Sequence, residues 1–201
     1  MRKGYFITAI GTDSGKTFIS AIFTEALKAD YWKPVQAGHP TDSDEIRRLI
    51  SNPESEVLQE RYVLETPASP HAAAKIDNVQ IKLSDFKIPV GDRPIVVEGA
   101  GGIMVPLNDD DTIGDLMKGL DLPVILVSNL YLGNINHTLL SAEYLKAKGV
   151  NVAGIVFNGE SNPESERVIE KMTGHPVLLR VNKEEHVNKE VVKEYASKLA
   201  L

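Results

Sequence analysis

Apolar residues gather in short runs at positions 5–10, 31–35, 94–97, 123–127, 152–157 and 176–181. The runs are rich in Val and Ile, too short for buried helices, and do not alternate with polar residues, so they predict strands covered on both faces. A longer period lies between them. Ile19, Ile22, Phe23, Ala26 and Leu27 form one apolar stripe in a helix predicted over 18–28, and Leu139, Leu140, Ala142, Leu145 and Ala147 recur at compatible spacing. Strands alternating with helices predict an α/β fold: a mostly parallel central sheet with right-handed crossovers, its ligands at the carboxyl ends of the strands. The longest interval between strands, 38–93, holds one predicted helix at 44–50 and then Thr66-Pro67-Ala68-Ser69-Pro70-His71. A connection that long carries function or an excursion from the sheet. The tail, 184–201, reads as a closing amphipathic helix.

With 201 residues, 42% of them hydrophobic, the chain has the length for one domain, 1–201, around a substantial core. A net charge of −6 and no long Lys/Arg run remove the driving term for nonspecific nucleic-acid or anionic-membrane binding. Any phosphate site must therefore be locally positive. The absence of cysteine excludes disulfides, thiolate zinc sites and a cysteine nucleophile. The apolar run after Met1-Arg2-Lys3-Gly4 is short and holds Thr8, which argues against a signal peptide, and no stretch approaches the roughly 18 apolar residues of a membrane span. The expected compartment is the cytoplasm.

The first strand runs into Gly11-Thr12-Asp13-Ser14-Gly15-Lys16-Thr17 and then into a helix. Amides of such a turn converge on an anion and the helix dipole adds to them; Lys16 supplies a mobile charge and Thr17 a hydroxyl for magnesium. The strict phosphate-loop pattern wants glycine where Ile10 stands, so an ordinary capped helix start is the competing reading. A second element has the same chemistry. The strand at 94–97 delivers Glu98 to the sheet edge, followed by Gly99-Ala100-Gly101-Gly102, the layout of a Walker B-like magnesium site.

Lys33 closes the second strand and faces the same edge as Lys16, where it could stabilise a transferred phosphoryl group; alternatively it is a snorkelling surface lysine. In Thr41-Asp42-Ser43-Asp44-Glu45 the acids and hydroxyls suit helix capping, while Asp44 could reach a metal. Gly133-Asn134-Ile135-Asn136-His137 opens another helix whose free amides could take a carboxylate, and Asn158 ends a strand where its amide could read a base edge or cap a turn. Ser69 and His71 lack a third member for a hydrolase triad.

Taken in order, positions 8–17, Lys33-Pro34-Val35-Gln36-Ala37-Gly38, Ser43-Asp44, Ser69-Pro70-His71, Val97-Glu98-Gly99-Ala100-Gly101-Gly102, Leu132-Gly133-Asn134-Ile135-Asn136-His137 and Asn158 resemble the dethiobiotin synthetase family. The resemblance implies a P-loop NTPase-like three-layer sandwich acting as a homodimer. Its reaction would be the ATP- and Mg2+-dependent carboxylation of 7,8-diaminopelargonic acid by CO2 and closure to dethiobiotin, through a carbamate and its phosphoric anhydride. It further implies that Lys16 and the amides of Asp13, Ser14, Gly15, Thr17 and Phe18 hold phosphates, that Thr17, Asp44 and Glu98 surround magnesium, and that Gly99, Ala100 and Gly101 border the nucleotide. Lys33 and Lys16 would be the catalytic charges. Thr12, Lys33, Ala37 and Gly133 to Asn136 would contact substrate, and Asn158 would read adenine.

The chain departs from the family pattern in places. Ala9 stands where relatives often open the loop with glycine, Ala37 replaces a substrate-contacting hydroxyl, and Arg180-Val181-Asn182 replaces a Gly-Glu-Ile-Pro-like nucleotide loop. Residues 160–172 lack a tyrosine that some members place near the substrate carboxylate. The main alternative is a deviant-Walker regulatory or partitioning ATPase, but its signature lysine would fall at Gly11. A cobyric-acid-type amidoligase would need a glutaminase nucleophile, and a nonenzymatic nucleotide-binding module is a further alternative.

Overall fold

The computed structural model describes residues 2–199. Its strands are β1 (Gly4–Ala9), β2 (Asp30–Trp32), β3 (Val35–Ala37), β4 (Val57–Leu58), β5 (Tyr62–Leu64), β6 (Ile95–Glu98), β7 (Val124–Asn129), β8 (Val152–Asn158) and β9 (Val177–Val181). Its helices are α1 (Lys16–Leu27), α2 (Asp42–Leu49), α3 (Pro70–Ile76), α4 (Ile113–Leu120), α5 (Asn134–Ala147), α6 (Pro163–Thr173) and α7 (Lys189–Ser197). Seven strands form a parallel sheet in the order β4-β2-β6-β1-β7-β8-β9.

Strand residues alternate between two cores. Phe6, Ile95, Val97, Val124, Leu126 and Phe157 pack with α3, α4, α5 and α6 residues, whereas Ile7, Val96, Ile125, Val127 and Val156 pack against α1, α2 and α7. That is the physical content of the non-alternating apolar runs: both faces of the sheet are covered.

The second apolar run does not stay in one strand. Pro34 has no N–H for a ladder, and the chain leaves the main sheet after Trp32; Val35–Ala37 then pairs with Tyr62–Leu64 as a separate two-stranded parallel sheet. The interval 38–93 contains more than the one predicted helix. It adds β4, β5, α3 and a single 3-10 turn at Leu83–Asp85, elements of two to seven residues that are too brief to show a period. Helix α2 starts at Asp42 rather than residue 44, because Thr41 is its N-cap and accepts from Asp44 N–H at 3.1 Å. The closing helix is shorter than the predicted 184–201: Asn188 caps it, it ends at Ser197, and residues 200–201 lie outside the described residues.

Candidate active site

Strand order brings the site together. Because β6 lies between β2 and β1, Glu98 at its carboxyl end stands between Lys33, just beyond β2, and Thr17, in the first turn of the helix that follows β1. Parallel strands put all three at one edge.

After Ala9 the backbone keeps one more ladder bond, from Ile10 N–H to Val127 O at 3.1 Å, and then turns through residues 11–15 into α1. Asp13 (φ 54°) and Gly15 (φ 83°) adopt left-handed backbone. Turns of this kind aim successive N–H groups into one anion-binding concavity. A Cβ on Gly15 would stand 2.2 Å from Asn158 Nδ2, so glycine is needed there for space as well as for its dihedral. Two asparagines brace the loop from the sheet: Ser14 Oγ donates to Asn129 Oδ1 at 2.8 Å, and Asn158 Nδ2 donates to Ser14 O at 2.9 Å. Lys16 Nζ curls back to Gly11 O at 3.2 Å.

On the other side of the loop, Thr17 Oγ1 lies 3.0 Å from Glu98 Oε1 and 3.2 Å from Asp42 Oδ1. Lys33 Nζ closes the cluster: it is 2.5 Å from Asp42 Oδ2 and 3.0 Å from Glu98 Oε1, and it donates to Gly99 O at 2.9 Å. Gln36 sets the start of α2, its Oε1 accepting from Asp42 N–H at 3.1 Å and its Nε2 donating to Gly38 O at 3.0 Å. Tyr31 donates its hydroxyl to Glu98 Oε2 at 2.9 Å. The charges regulate one another. Burial pulls the Lys33 pKa down, but Glu98 and Asp42 more than offset it and leave the ammonium raised above its usual range. Burial likewise favours neutral Asp42, and Lys33 with the Thr17 hydroxyl outweighs that and holds its carboxyl below the usual range. Lys16 is lowered, first by burial and then by the Lys33 charge. Burial, followed by the Glu98 charge, pushes the Tyr31 hydroxyl well up, so it remains a proton donor.

A cavity of about 720 Å³ opens on this cluster. Among the described residues no group of three His, Cys, Asp or Glu side chains forms a metal cage. Two carboxylates and a hydroxyl beside a phosphate loop are instead the hard-oxygen set that suits magnesium, which keeps several waters and takes phosphate oxygens as its remaining ligands.

This geometry has close relatives in sequence. An AAA domain family model matches residues 3–191. The chain is 56% identical over 199 residues to the ATP-dependent dethiobiotin synthetase BioD of Cytophaga hutchinsonii, covering 98% of this chain and 97% of the relative. It is 50% identical over 200 residues to the enzyme of the same name from Christiangramia forsetii, covering 98% and 96%. The chain belongs to the dethiobiotin synthetase family. Its fold is also that of a ParA family ATPase from Chlorobium tepidum (TM-score 0.60, 13% identity, 98% of each chain covered). The septum site-determining protein MinD of Pyrococcus horikoshii is similar too (TM-score 0.58, 13% identity, 98% and 96% covered). These two likenesses concern architecture alone, and Gly11 stands where the deviant-Walker lysine would be.

Of the residues singled out by resemblance to the dethiobiotin synthetases, Thr12, Asp13, Gly15, Lys16, Thr17, Lys33, Ala37, Glu98, Ala100 and Gly101 line the one cavity. Ser14 is buried beneath the loop, Gly99 presents its carbonyl to Lys33, Phe18 packs edge-on against Tyr195, and Asn158 braces the loop. Gly133, Asn134, Ile135 and Asn136 line a separate cavity of about 690 Å³ with Glu160, Ser161 and Asn162. Asp44 is a correction. Its carboxylate accepts from Thr41 Oγ1 at 2.7 Å and from Arg47 at 2.8 Å on the exposed side of α2, and the acid beside Thr17 is Asp42. Successive helical residues turn by about 100°, so two residues on the carboxylate points to the far side. The capping rule contained the signal, since Thr41 as N-cap makes Asp42 the first helical residue. Gln36 stood within the quoted run 33–38 without a role of its own, and Tyr31 lay in no motif. The pair Ser69 Oγ and His71 Nδ1, 3.2 Å apart, sits exposed at the start of α3.

Proposed function

We propose that this chain converts 7,8-diaminopelargonic acid and CO2 to dethiobiotin with ATP and Mg2+, within one P-loop domain spanning 1–201. The observation that carries the reading is the meeting of Lys33 with Thr17, Asp42 and Glu98 beside the glycine loop. The names of the relatives at 56% and 50% identity support it.

In this reading a substrate amine attacks CO2, loses a proton and becomes a carbamate. A carbamate oxygen takes the γ-phosphoryl group of ATP, releasing ADP, and the second amine attacks the carbamoyl carbon, expelling phosphate as the ring closes. None of these steps requires a protein nucleophile; they require positioning and charge. The amides from Asp13 to Phe18, with Lys16, hold the phosphates. Thr17, Asp42 and Glu98 would hold magnesium, which supplies neutralising charge to the phosphate oxygens. Lys33, kept charged by its carboxylate neighbours, would neutralise the carbamate and the transferred phosphoryl group.

Asn158 has its Nδ2 on Ser14 and its Oδ1 to offer the amino group of adenine. The start of α5, with Gly133 at φ 110° as its N-cap, would take the substrate's carboxylate on its free amides across a homodimer interface. The fully exposed Leu132 next to that cavity supports such a contact.

The test is incubation with 7,8-diaminopelargonic acid, bicarbonate, Mg2+ and ATP, followed by mass detection of dethiobiotin. Stoichiometric ADP and dethiobiotin are expected. ATP turnover without that product would overturn the reading.

A further inference from the structure

β2 and β6 run side by side with Tyr31 in register with Val96, and both of these side chains belong to the core beneath α1. Glu98 is two residues beyond Val96 and so projects from the same face. Neighbouring strands lie about 4.8 Å apart and two residues along a strand span roughly 6.6 Å, so this diagonal is about 8 Å, a distance an aromatic side chain can span. Tyr31 spans it: its ring is fully buried and its hydroxyl donates to Glu98 Oε2 at 2.9 Å.

The consequence concerns the other carboxylate oxygen. Glu98 Oε1 receives both Thr17 Oγ1 and Lys33 Nζ, each at 3.0 Å, and so faces the phosphate loop. The terminal torsion of a glutamate is broad and roughly two-fold, so nothing intrinsic to Glu98 fixes which way its carboxylate plane lies. We propose that Tyr31 is a positioning residue that pins Glu98 Oε2 in the core and thereby presents Oε1 to the cation side of the cavity. The inference rests on the reading of Glu98 as a magnesium ligand. Groups that orient a metal-binding carboxylate commonly alter metal affinity by about 10–100-fold when removed.

Tyr31→Phe keeps the buried ring and deletes only the hydroxyl, and a thermal melt followed by circular dichroism checks that the full chain remains folded. Binding of Mn2+, as a probe for Mg2+, would be measured by electron paramagnetic resonance in the presence of ADP for the wild type, Tyr31→Phe, Glu98→Gln and the double variant. ADP affinity without metal would be measured alongside. The expected result is Mn2+ binding weakened about tenfold by Tyr31→Phe, metal-free ADP affinity unchanged, and no further loss when Tyr31→Phe is added to Glu98→Gln. Wild-type Mn2+ affinity in Tyr31→Phe, with affinity lost in Glu98→Gln, would overturn the positioning role and leave the metal reading standing. Unchanged binding in Glu98→Gln would instead remove the metal reading itself. Independent, additive losses in the double variant would place the effect of Tyr31 elsewhere and also overturn the proposal.

Discussion

Thr17 and Asp42 come from different helices, yet the Thr17 hydroxyl lies 3.2 Å from Asp42 Oδ1, while Asp44 two residues further on is engaged by Thr41 and Arg47 at the surface. The two acids therefore separate by experiment. Asp42→Asn replaces one carboxylate oxygen with an amide nitrogen and removes the negative charge that faces Lys33, and turnover should fall about 100-fold with a raised Mg2+ requirement. Asp44→Asn should leave kcat within about twofold, since Asp44 belongs to the cap and not to the cavity. Steady-state kinetics at varied Mg2+ reads both.

Lys33 lies between two carboxylates, and Lys16 beside the phosphate loop, so their losses should differ in kind. Lys33→Met leaves Asp42 and Glu98 uncompensated and should destabilise the metal-free protein by about 3 kcal/mol. Added Mg2+ should then raise its melting temperature more than that of the wild type, because the cation replaces the missing charge. ATP should still bind while turnover collapses. Lys16→Ala should weaken ATP binding and turnover together, and calorimetry with ATP distinguishes the two variants.

The cap of α4 supplies a pH signature. Lys148 donates to Asp115 Oδ1 at 2.7 Å, and Thr112 donates to Oδ2 through its N–H and its hydroxyl, holding the carboxyl at about 2 against an ordinary 3.8. A depressed carboxylate stabilises the fold fully above 3.8, loses that contribution as pH falls, and gives none below about 2. Asp115→Asn should cost about 1 kcal/mol at neutral pH after allowance for solvent screening, with the gap from wild type closing between those two values. Urea melts across that range measure it.

Leu132 is fully exposed beside Tyr131, itself 44% exposed, at the start of α5. If this surface carries the homodimer contact, Leu132→Asp should shift the protein to monomer in sedimentation velocity. The KM for 7,8-diaminopelargonic acid should then rise about tenfold or more with the ATP KM unchanged. A variant that stays dimeric with an unaltered KM would place the interface elsewhere.

By itself the sequence determined the parallel α/β architecture, the phosphate loop at the β1–α1 junction and the candidacy of Glu98 and Lys33. These depend on local period and on where an apolar run stops, which neighbouring residues encode. Tertiary structure decided the rest. Which acid meets Thr17 depends on the phase of α2, fixed by Thr41 at its cap and by Gln36 reaching from β3. The grouping of residues 17, 33 and 98 depends on β6 inserting between β2 and β1, a pairing set by contacts far apart in the chain. Tyr31 looked like any strand aromatic, and only the register of β2 against β6 brings its hydroxyl to Glu98. Asn158 similarly reaches the loop because β8 ends beside it. Side-chain direction at a sheet edge is a property of strand order and helix phase together, and neither is written in any single stretch of sequence.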